Sequence, residues 1–358
     1  MQQYPGCTLV YFTIPREDAR VMAESSLEAA YASASDAALI VRHPDPGVVV
    51  MTGKDRLDLL HRMSTNDVAG LPAGRVRQTV LTNPIGRIID VIRLLSLDDQ
   101  AMLLTTPGRA EVVRKWLQGY IFFQDDVQLA LADVSWSEWG IYGPGAGQEI
   151  LSAFADAVLP GGEAFSRLQG GFAWRVNRPA NGGFRLLLAP EPTGIAKEAW
   201  RGRGGEEVDA AAYQVLRIEA GIPEPDHEIR DDSIPLEVGL RDAISFTKGC
   251  YIGQEIIARM DSRGRQAWTM LGVRLENEGR PGDSLYLDDR QVGSLTSVAF
   301  SPSLGWIALA SVRPGVLDNE QGRVGIGSEG SAGRVVRLPI AEAAVRSTMQ
   351  GPESAARD

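Results

Sequence analysis

Two apolar runs, Gln78–Thr82 and Ile88–Leu95, flank Asn83-Pro84-Ile85-Gly86, and this strand–turn–strand pattern constrains the fold more than any other stretch. It sets a β-hairpin in the first third of the chain. Before it, Val48–Met51 reads as a strand that runs through Thr52-Gly53 into a helix with Leu57, Leu60 and Met63 on one face. After it come a strand-like Met102–Thr106 and, past Pro107-Gly108, an amphipathic helix expected to turn Val112, Val113 and Trp116 inward. Strands around Val127–Asp133 and Trp139–Tyr142 continue the alternation, which is that of an α+β fold.

Past Gly143-Pro144-Gly145 the pattern gives a helix at Glu149–Val158, strands at Phe172–Val176 and Phe184–Ala189, and a helix at Gly194–Arg201. The loop Arg203-Gly204-Gly205 precedes a helix at Ala211–Ala220. From Trp268 to Pro339 the chain breaks into short β-like runs with turn residues between them, which predicts a small barrel. Residues 1–35 read as a polar, alanine-rich arm with one apolar patch at Leu9–Ile14 and a helix at its end, and residues 346–358 as a disordered tail.

Composition excludes several function classes. A net charge of −10 over 358 residues argues against general nucleic-acid or anionic-membrane binding. No apolar run reaches the length of a membrane span, and the N-terminus lacks a basic segment followed by a long apolar one, so a cytoplasmic location is expected. Two cysteines, Cys7 and Cys250, make no disulfide framework and cannot supply the four thiolates of an iron–sulfur cluster. Three separated histidines, His43, His61 and His227, argue against a catalytic zinc site, and no metal is expected.

The strongest candidate site is Lys248-Gly249-Cys250-Tyr251-Ile252-Gly253-Gln254-Glu255. It sets a thiol between a lysine and the start of a helix, where an ammonium and the helix dipole both favour a thiolate. The glycines allow a tight turn and close approach to a ligand. The competing reading is a small buried hydrophobe. A Cys–His pairing would need His61 or His227 beside Cys250, and nothing in their spacing demands it.

This octapeptide is similar to the K-G-C-[FY]-x-G-Q-E signature of the folate-binding YgfZ family, which is related to the aminomethyltransferase (T-protein) of the glycine cleavage system. Ser64-Thr65-Asn66-Asp67, the Asn83–Asp90 hairpin, Arg217–Gly221, Thr296-Ser297 and Ser301–Gly305 extend the resemblance in the expected order. It covers roughly residues 36 to 340. The resemblance implies three lobes around a central folate site: 36–135 with 209–262 as a discontinuous first lobe, 136–208 as a second α+β lobe, and 265–345 as the barrel lobe. The α+β lobes would be ferredoxin-like.

Residue by residue, the resemblance implies that Glu219 binds the pterin, as a carboxylate accepting two parallel hydrogen bonds from an aminopyrimidine edge. Tyr213, two helical turns upstream, either stacks on the ligand or packs in the core. Asn66 borders the folate cavity or caps a turn, and Lys248 binds the folate glutamate tail, lowers the thiol pKa or is solvated. Gln254 opens a helix beside the site. Asp90 takes the first position of the T-protein Asp-Asp pair, but Val91 breaks that pair, and Asp45-Pro46-Gly47 stands where T-proteins carry a histidine. Cys250 and Asp90 are therefore the expected catalytic residues, with Glu219, Tyr213, Asn66, Lys248 and Gln254 binding tetrahydrofolate.

The implied function is folate-dependent support of iron–sulfur cluster synthesis or repair, including maturation of tRNA methylthiotransferases, with client or assembly proteins as partners. The alternatives are a glycine-cleavage aminomethyltransferase and a non-catalytic, folate-gated adaptor.

Overall fold

The computed structural model describes residues 27–202, 210–264, 266–318, 322–327 and 331–340. Cys7, the patch Leu9–Ile14, the loop Arg203-Gly204-Gly205, Arg265 and the expected tail at 346–358 lie outside the described residues.

A helix, α1 (27–36), leads into strand β1 (Leu39–Arg42). The first sheet then forms from β2 (Gly47–Thr52), β3 (Arg75–Thr82), β4 (Ile88–Ser96), β5 (Gln100–Thr105) and β6 (Gln128–Leu131). Helices α2 (Arg56–Met63) and α3 (Ala110–Gln118) interrupt it. Its order is β3-β4-β5-β2-β6, and the pairing is antiparallel. The hairpin read from the sequence is β3–β4, with Leu81 opposite Asp90 and a bulge at Leu81/Thr82.

The second sheet is built from β7 (Ser137–Tyr142), β8 (Phe165–Leu168), β9 (Gly171–Val176) and β10 (Gly183–Leu188), with helices α4 (Ala146–Ala153) and α5 (Pro190–Gly202). Its order is β1-β7-β10-β9-β8, so β1, which the sequence groups with the first lobe, pairs with β7 of the second sheet. Two-residue periodicity sorts each strand's side chains into separate cores. On β4, Ile92 and Leu94 pack beneath α2 and α3 with Leu60 and Val113, while Leu95 turns to the other face and meets Phe172 and Trp174 of the second sheet. Ile141 and Leu186 point outward to Ile150 and Trp200 of α4 and α5. The result is a helix–sheet–sheet–helix stack.

Two local expectations are corrected. Val113 and Leu117 take the buried face of α3, which leaves Val112 48% exposed about a quarter-turn away. Helix α4 begins at Ala146 and ends before Phe154, whose N–H closes the last turn on the Ile150 carbonyl, so it does not reach Val158.

Helix α6 (Ala210–Ala220) is buried on most of its circumference because it fills the junction between this stack and the barrel. Ala212, Tyr213 and Leu216 meet Leu39 and Val41 of β1, and Ile218 meets Ile307 and Leu309 of the barrel. A long irregular stretch then leads to α7 (Gln254–Arg263). The barrel strands are β11 (Thr269–Leu275), β12 (Ser284–Leu287), β13 (Arg290–Ser301), β14 (Gly305–Val312), β15 (Arg323–Ile326) and β16 (Ser331–Val336). They close in the order β11-β14-β13-β12-β15-β16, which leaves no free sheet edge and bears out the small barrel read from the sequence. Among the described residues, no helix is long and apolar enough to cross a membrane.

Candidate functional site

Glu219 lies in the last turn of α6, where the helix reaches the β13–β14 turn. Ser301, the final residue of β13, donates its hydroxyl proton to Glu219 Oε1 at 2.6 Å. The same oxygen of Ser301 accepts from the N–H groups of Ser303 at 3.2 Å and Leu304 at 3.0 Å, which fixes the turn. Tyr31 reaches across from α1 and shares its hydroxyl proton between Glu219 Oε1 (3.0 Å) and Oε2 (3.2 Å), with Ser303 Oγ 2.8 Å from the phenol oxygen. Burial pushes the Glu219 carboxyl above the usual carboxylate range, and the donors Ser301 and Tyr31 act against that shift.

Two residues back on α6, Arg217 is wholly buried and anchors the helix to the barrel. Its Nη2 donates to Ser297 Oγ at 2.8 Å, and Ser297 in turn donates to Glu228 Oε1 at 2.6 Å. Arg217 also pairs with Glu224 at 3.0 Å and Glu228 at 3.2 Å. The segments Arg217–Gly221, Thr296-Ser297 and Ser301–Gly305 thus meet at one seam. Tyr31 belongs to the arm to which the sequence reading gave no role, and no local signal marks a contact between residues so distant in the chain.

The octapeptide forms a second centre. Lys248 Nζ donates to the carbonyls of His61 (2.6 Å), Ser64 (2.7 Å) and Asn66 (2.8 Å), so all its protons are committed to the C-terminal end of α2. Burial pushes the Lys248 pKa down to about 8, with the Asp67 charge acting the other way. Tyr251 is buried, with the Lys248 ammonium 5.2 Å from its ring centroid. The Ile252 carbonyl accepts from Thr82 Oγ1 at 2.6 Å. Gly253 has φ +84°, and a Cβ there would stand 2.7 Å from the Asn83 carbonyl oxygen and 3.0 Å from the Gly86 Cα. Gln254 opens α7, half-buried.

Gly249 and Cys250 differ from the rest. Gly249 has no positive φ, and a Cβ added there would meet nothing within 4 Å. Cys250 is an exposed free thiol three residues before Gly253, the cap of α7. It therefore stands outside the helix start proposed to activate it, and the neighbouring ammonium is engaged with the end of α2. No described hydrogen bond joins it to His61, whose Nδ1 accepts from the Val68 and Ala69 N–H groups, or to His227.

Asp90 points with Ile92 and Leu94 toward the helix side of the first sheet. Its carboxylate accepts from Thr106 Oγ1 (2.6 Å), from the Thr106 N–H (3.2 Å) and from the Val91 N–H (2.8 Å). Burial raises its pKa, opposed by Thr106, Val91 and the Arg109 charge. Val91 takes the opposite face and packs with Val80, Val238 and Leu240. Tyr213 is buried, stacked on Tyr142 with centroids 5.6 Å apart, edge-on to His43 at 4.5 Å and with the Arg185 guanidinium 5.9 Å from its centroid, so the protein's own side chains surround its ring. Asn66 donates to the Gln78 and Asp242 carbonyls at 2.8 and 3.3 Å and caps the Asp67 N–H at 2.9 Å. Asn66 and Lys248 are thus brought into contact, whereas Glu219, Tyr213 and Asp90 each stand in a separate hydrogen-bonded or packed setting. Among the described residues, no group of three or more His, Cys, Asp and Glu is placed to hold a metal ion.

An α+β stack closed against a six-stranded barrel, with a buried carboxylate at their seam, defines a protein class that comparison identifies. Residues 18–168 match the GCVT N-terminal domain, and residues 269–341 match the glycine cleavage T-protein C-terminal barrel domain. The aminomethyltransferase of Symbiobacterium thermophilum is 30% identical over 286 residues, covering 74% of this chain and 76% of that protein. The aminomethyltransferase of Nostoc sp. is 29% identical over 287 residues, covering 74% of each. A putative chloroplastic transferase of Arabidopsis thaliana is 28% identical over 261 residues, and the match spans 70% of this chain but only 59% of that relative. The crystal structure of the glycine cleavage system aminomethyltransferase T from Bartonella henselae superposes with a TM-score of 0.77 at 21% identity, covering 88% of this chain and 90% of that one, and so shares its fold. The chain belongs to the glycine cleavage T-protein family.

Proposed function

We propose that the chain binds a reduced folate, tetrahydrofolate, through Glu219, and that Cys250 acts at the surface on a protein partner. This is the YgfZ-type role in iron–sulfur cluster synthesis or repair, with the cluster as cargo of the client and not resident here. The observation that carries it is the division of labour within Lys248–Glu255. Helix capping, core packing, a hydrogen bond and a close backbone approach account for Lys248, Tyr251, Ile252 and Gly253. Among the described residues, a Cβ on Gly249 would meet nothing within 4 Å, and the Cys250 thiol is free and exposed. A surface thiol suits exchange with a partner's sulfur better than chemistry inside a folate cavity.

The folate half rests on fit. Glu219 is a buried carboxylate among hydroxyl donors, able to take the amino and ring N–H groups of an aminopyrimidine. Bound folate would supply a one-carbon carrier. The chain's own residues recognise the pterin edge at Glu219, hold the Cys250 loop through Lys248 and Asn66, and keep Asp90 as the cap of the β5–α3 turn.

The second reading is an aminomethyltransferase, and the names of the relatives favour it. Against it stand the engaged Asp90 carboxylate and the apolar packing of Val91. Calorimetric titration with tetrahydrofolate tests the first half, with binding expected for wild type and lost in Glu219→Gln. In cells lacking the protein, wild type is expected to restore methylthiolated tRNA and Cys250→Ser to fail. Full rescue by Cys250→Ser removes the thiol role. Release of ammonia from an aminomethyl-loaded lipoyl carrier protein moves the assignment to the second reading.

A further inference from the structure

Glu219 is already occupied by the chain itself. A carboxylate oxygen has two lone pairs, and those of Oε1 are taken by Ser301 at 2.6 Å and Tyr31 at 3.0 Å, while Tyr31 also leans on Oε2 at 3.2 Å. An aminopyrimidine edge needs one acceptor position on each oxygen. It finds one on Oε1 only when Tyr31 leaves.

The helix that carries Tyr31 is built to leave. Its buried face consists of Ala30 and Ala34, with Leu27 and Tyr31 only partly covered. Two alanine methyls bury far less apolar surface than the Leu59, Leu60 and Met63 face of α2. The C-terminal end of α1 is held firmly. The Gly145 N–H donates to the Ala37 carbonyl at 2.6 Å, and Gly143, at φ +107°, lies so close that a Cβ on it would stand 2.6 Å from the Ala34 carbonyl oxygen. The helix is therefore pinned near Ala37, while at Tyr31 it is held by the phenol's hydrogen bonds to Glu219 and Ser303, the arrangement of a lever whose free end is fixed by the bonds that a ligand would replace.

We propose that α1 is a gate over Glu219, with Tyr31 as an internal occupant that the ligand must displace. This rests on the reading of Glu219 as the ligand carboxylate and adds its regulation: affinity is set by the balance between the phenol and the incoming aminopyrimidine. Whatever moves α1 about its anchor at Gly143 and Gly145 changes ligand affinity without touching the ligand.

The test is calorimetric titration of the full chain with tetrahydrofolate, using wild type, Tyr31→Phe and Glu219→Gln. Tyr31→Phe keeps the ring and removes the competing donor, and is expected to bind about tenfold tighter, the order of one hydrogen bond to a charged group. Glu219→Gln is expected to lose binding. Hydrogen exchange on wild type provides a readout independent of any substitution: saturating tetrahydrofolate is expected to speed exchange across residues 27–36. Binding that Tyr31→Phe leaves unchanged or weakens, or ligand that slows exchange in 27–36, overturns the gate and leaves the folate reading standing. No binding by wild type or Tyr31→Phe overturns both.

Discussion

Arg217 and Glu228 form an ion pair at 3.2 Å with each side chain only 1% exposed, and the Ser297 hydroxyl closes it by accepting from one and donating to the other. The pair spans α6, the loop after it and the barrel, so it welds the seam on which Glu219 sits. Arg217→Met leaves Glu228 charged and buried, and a loss of about 3–5 kcal/mol is expected in urea unfolding. Glu228→Gln keeps an acceptor for only one of Ser297 and Arg217, but it leaves Arg217 paired with Glu224 and is expected to lose less.

Two glycines of one octapeptide are expected to respond in opposite ways. Gly253→Ala places a side chain at φ +84° against the Asn83 carbonyl and the Gly86 backbone, and a loss of about 2 kcal/mol or more is expected. Gly249→Ala and Cys250→Ala meet open space and are expected to stay within about 0.5 kcal/mol of wild type in the same urea titration.

Lys248→Met removes three donors from the end of α2. An expected loss of about 2 kcal/mol follows from charge-assisted bonds of this kind. Faster amide exchange near His61–Asn66, with the barrel unaffected, locates the damage. A stability equal to wild type would show that solvent replaces the ammonium at no cost.

Asp90 gives a pH signature. Burial raises its pKa in the folded state above the unfolded value, so its contribution is full below the unfolded carboxylate pKa and is lost as pH rises through the folded one. The stability advantage of wild type over Asp90→Asn is therefore expected to narrow with rising pH across that window, measured by urea midpoints at several pH values. A widening gap would mean that the donors Thr106 and Val91 outweigh burial.

The fold was legible where the pattern is local. The β3–β4 hairpin, the apolar face of α2 and the short strands of the barrel each follow from periodicity and turn residues within one window. The small strand β8 carries only Phe165 and Leu168 as inward residues and falls below that signal. The site was legible only as a set of segments. Glu219, Ser297 and Ser301 lie in stretches that the resemblance singled out, yet their meeting depends on α6 lying against β13, which no window contains. Tyr31 was invisible for the same reason. Lys248 was read beside Cys250 because they are neighbours in sequence, but the unsatisfied carbonyls at the end of α2 draw the ammonium away. Tyr213 was read as either stacking on a ligand or packing in the core, and in the fold its buried ring stacks on Tyr142 of the protein itself.

Strand β1 pairs with β7, although the whole first sheet lies between them in the chain. As the polypeptide leaves the ribosome, β1 emerges early and has no hydrogen-bonding partner until β7 follows, by which time the first sheet is complete. The second sheet must then be assembled around a strand that has been waiting at its edge. No single cut in the chain separates the two sheets into self-sufficient pieces, and α1 stays tethered to a strand locked into the other half of the protein.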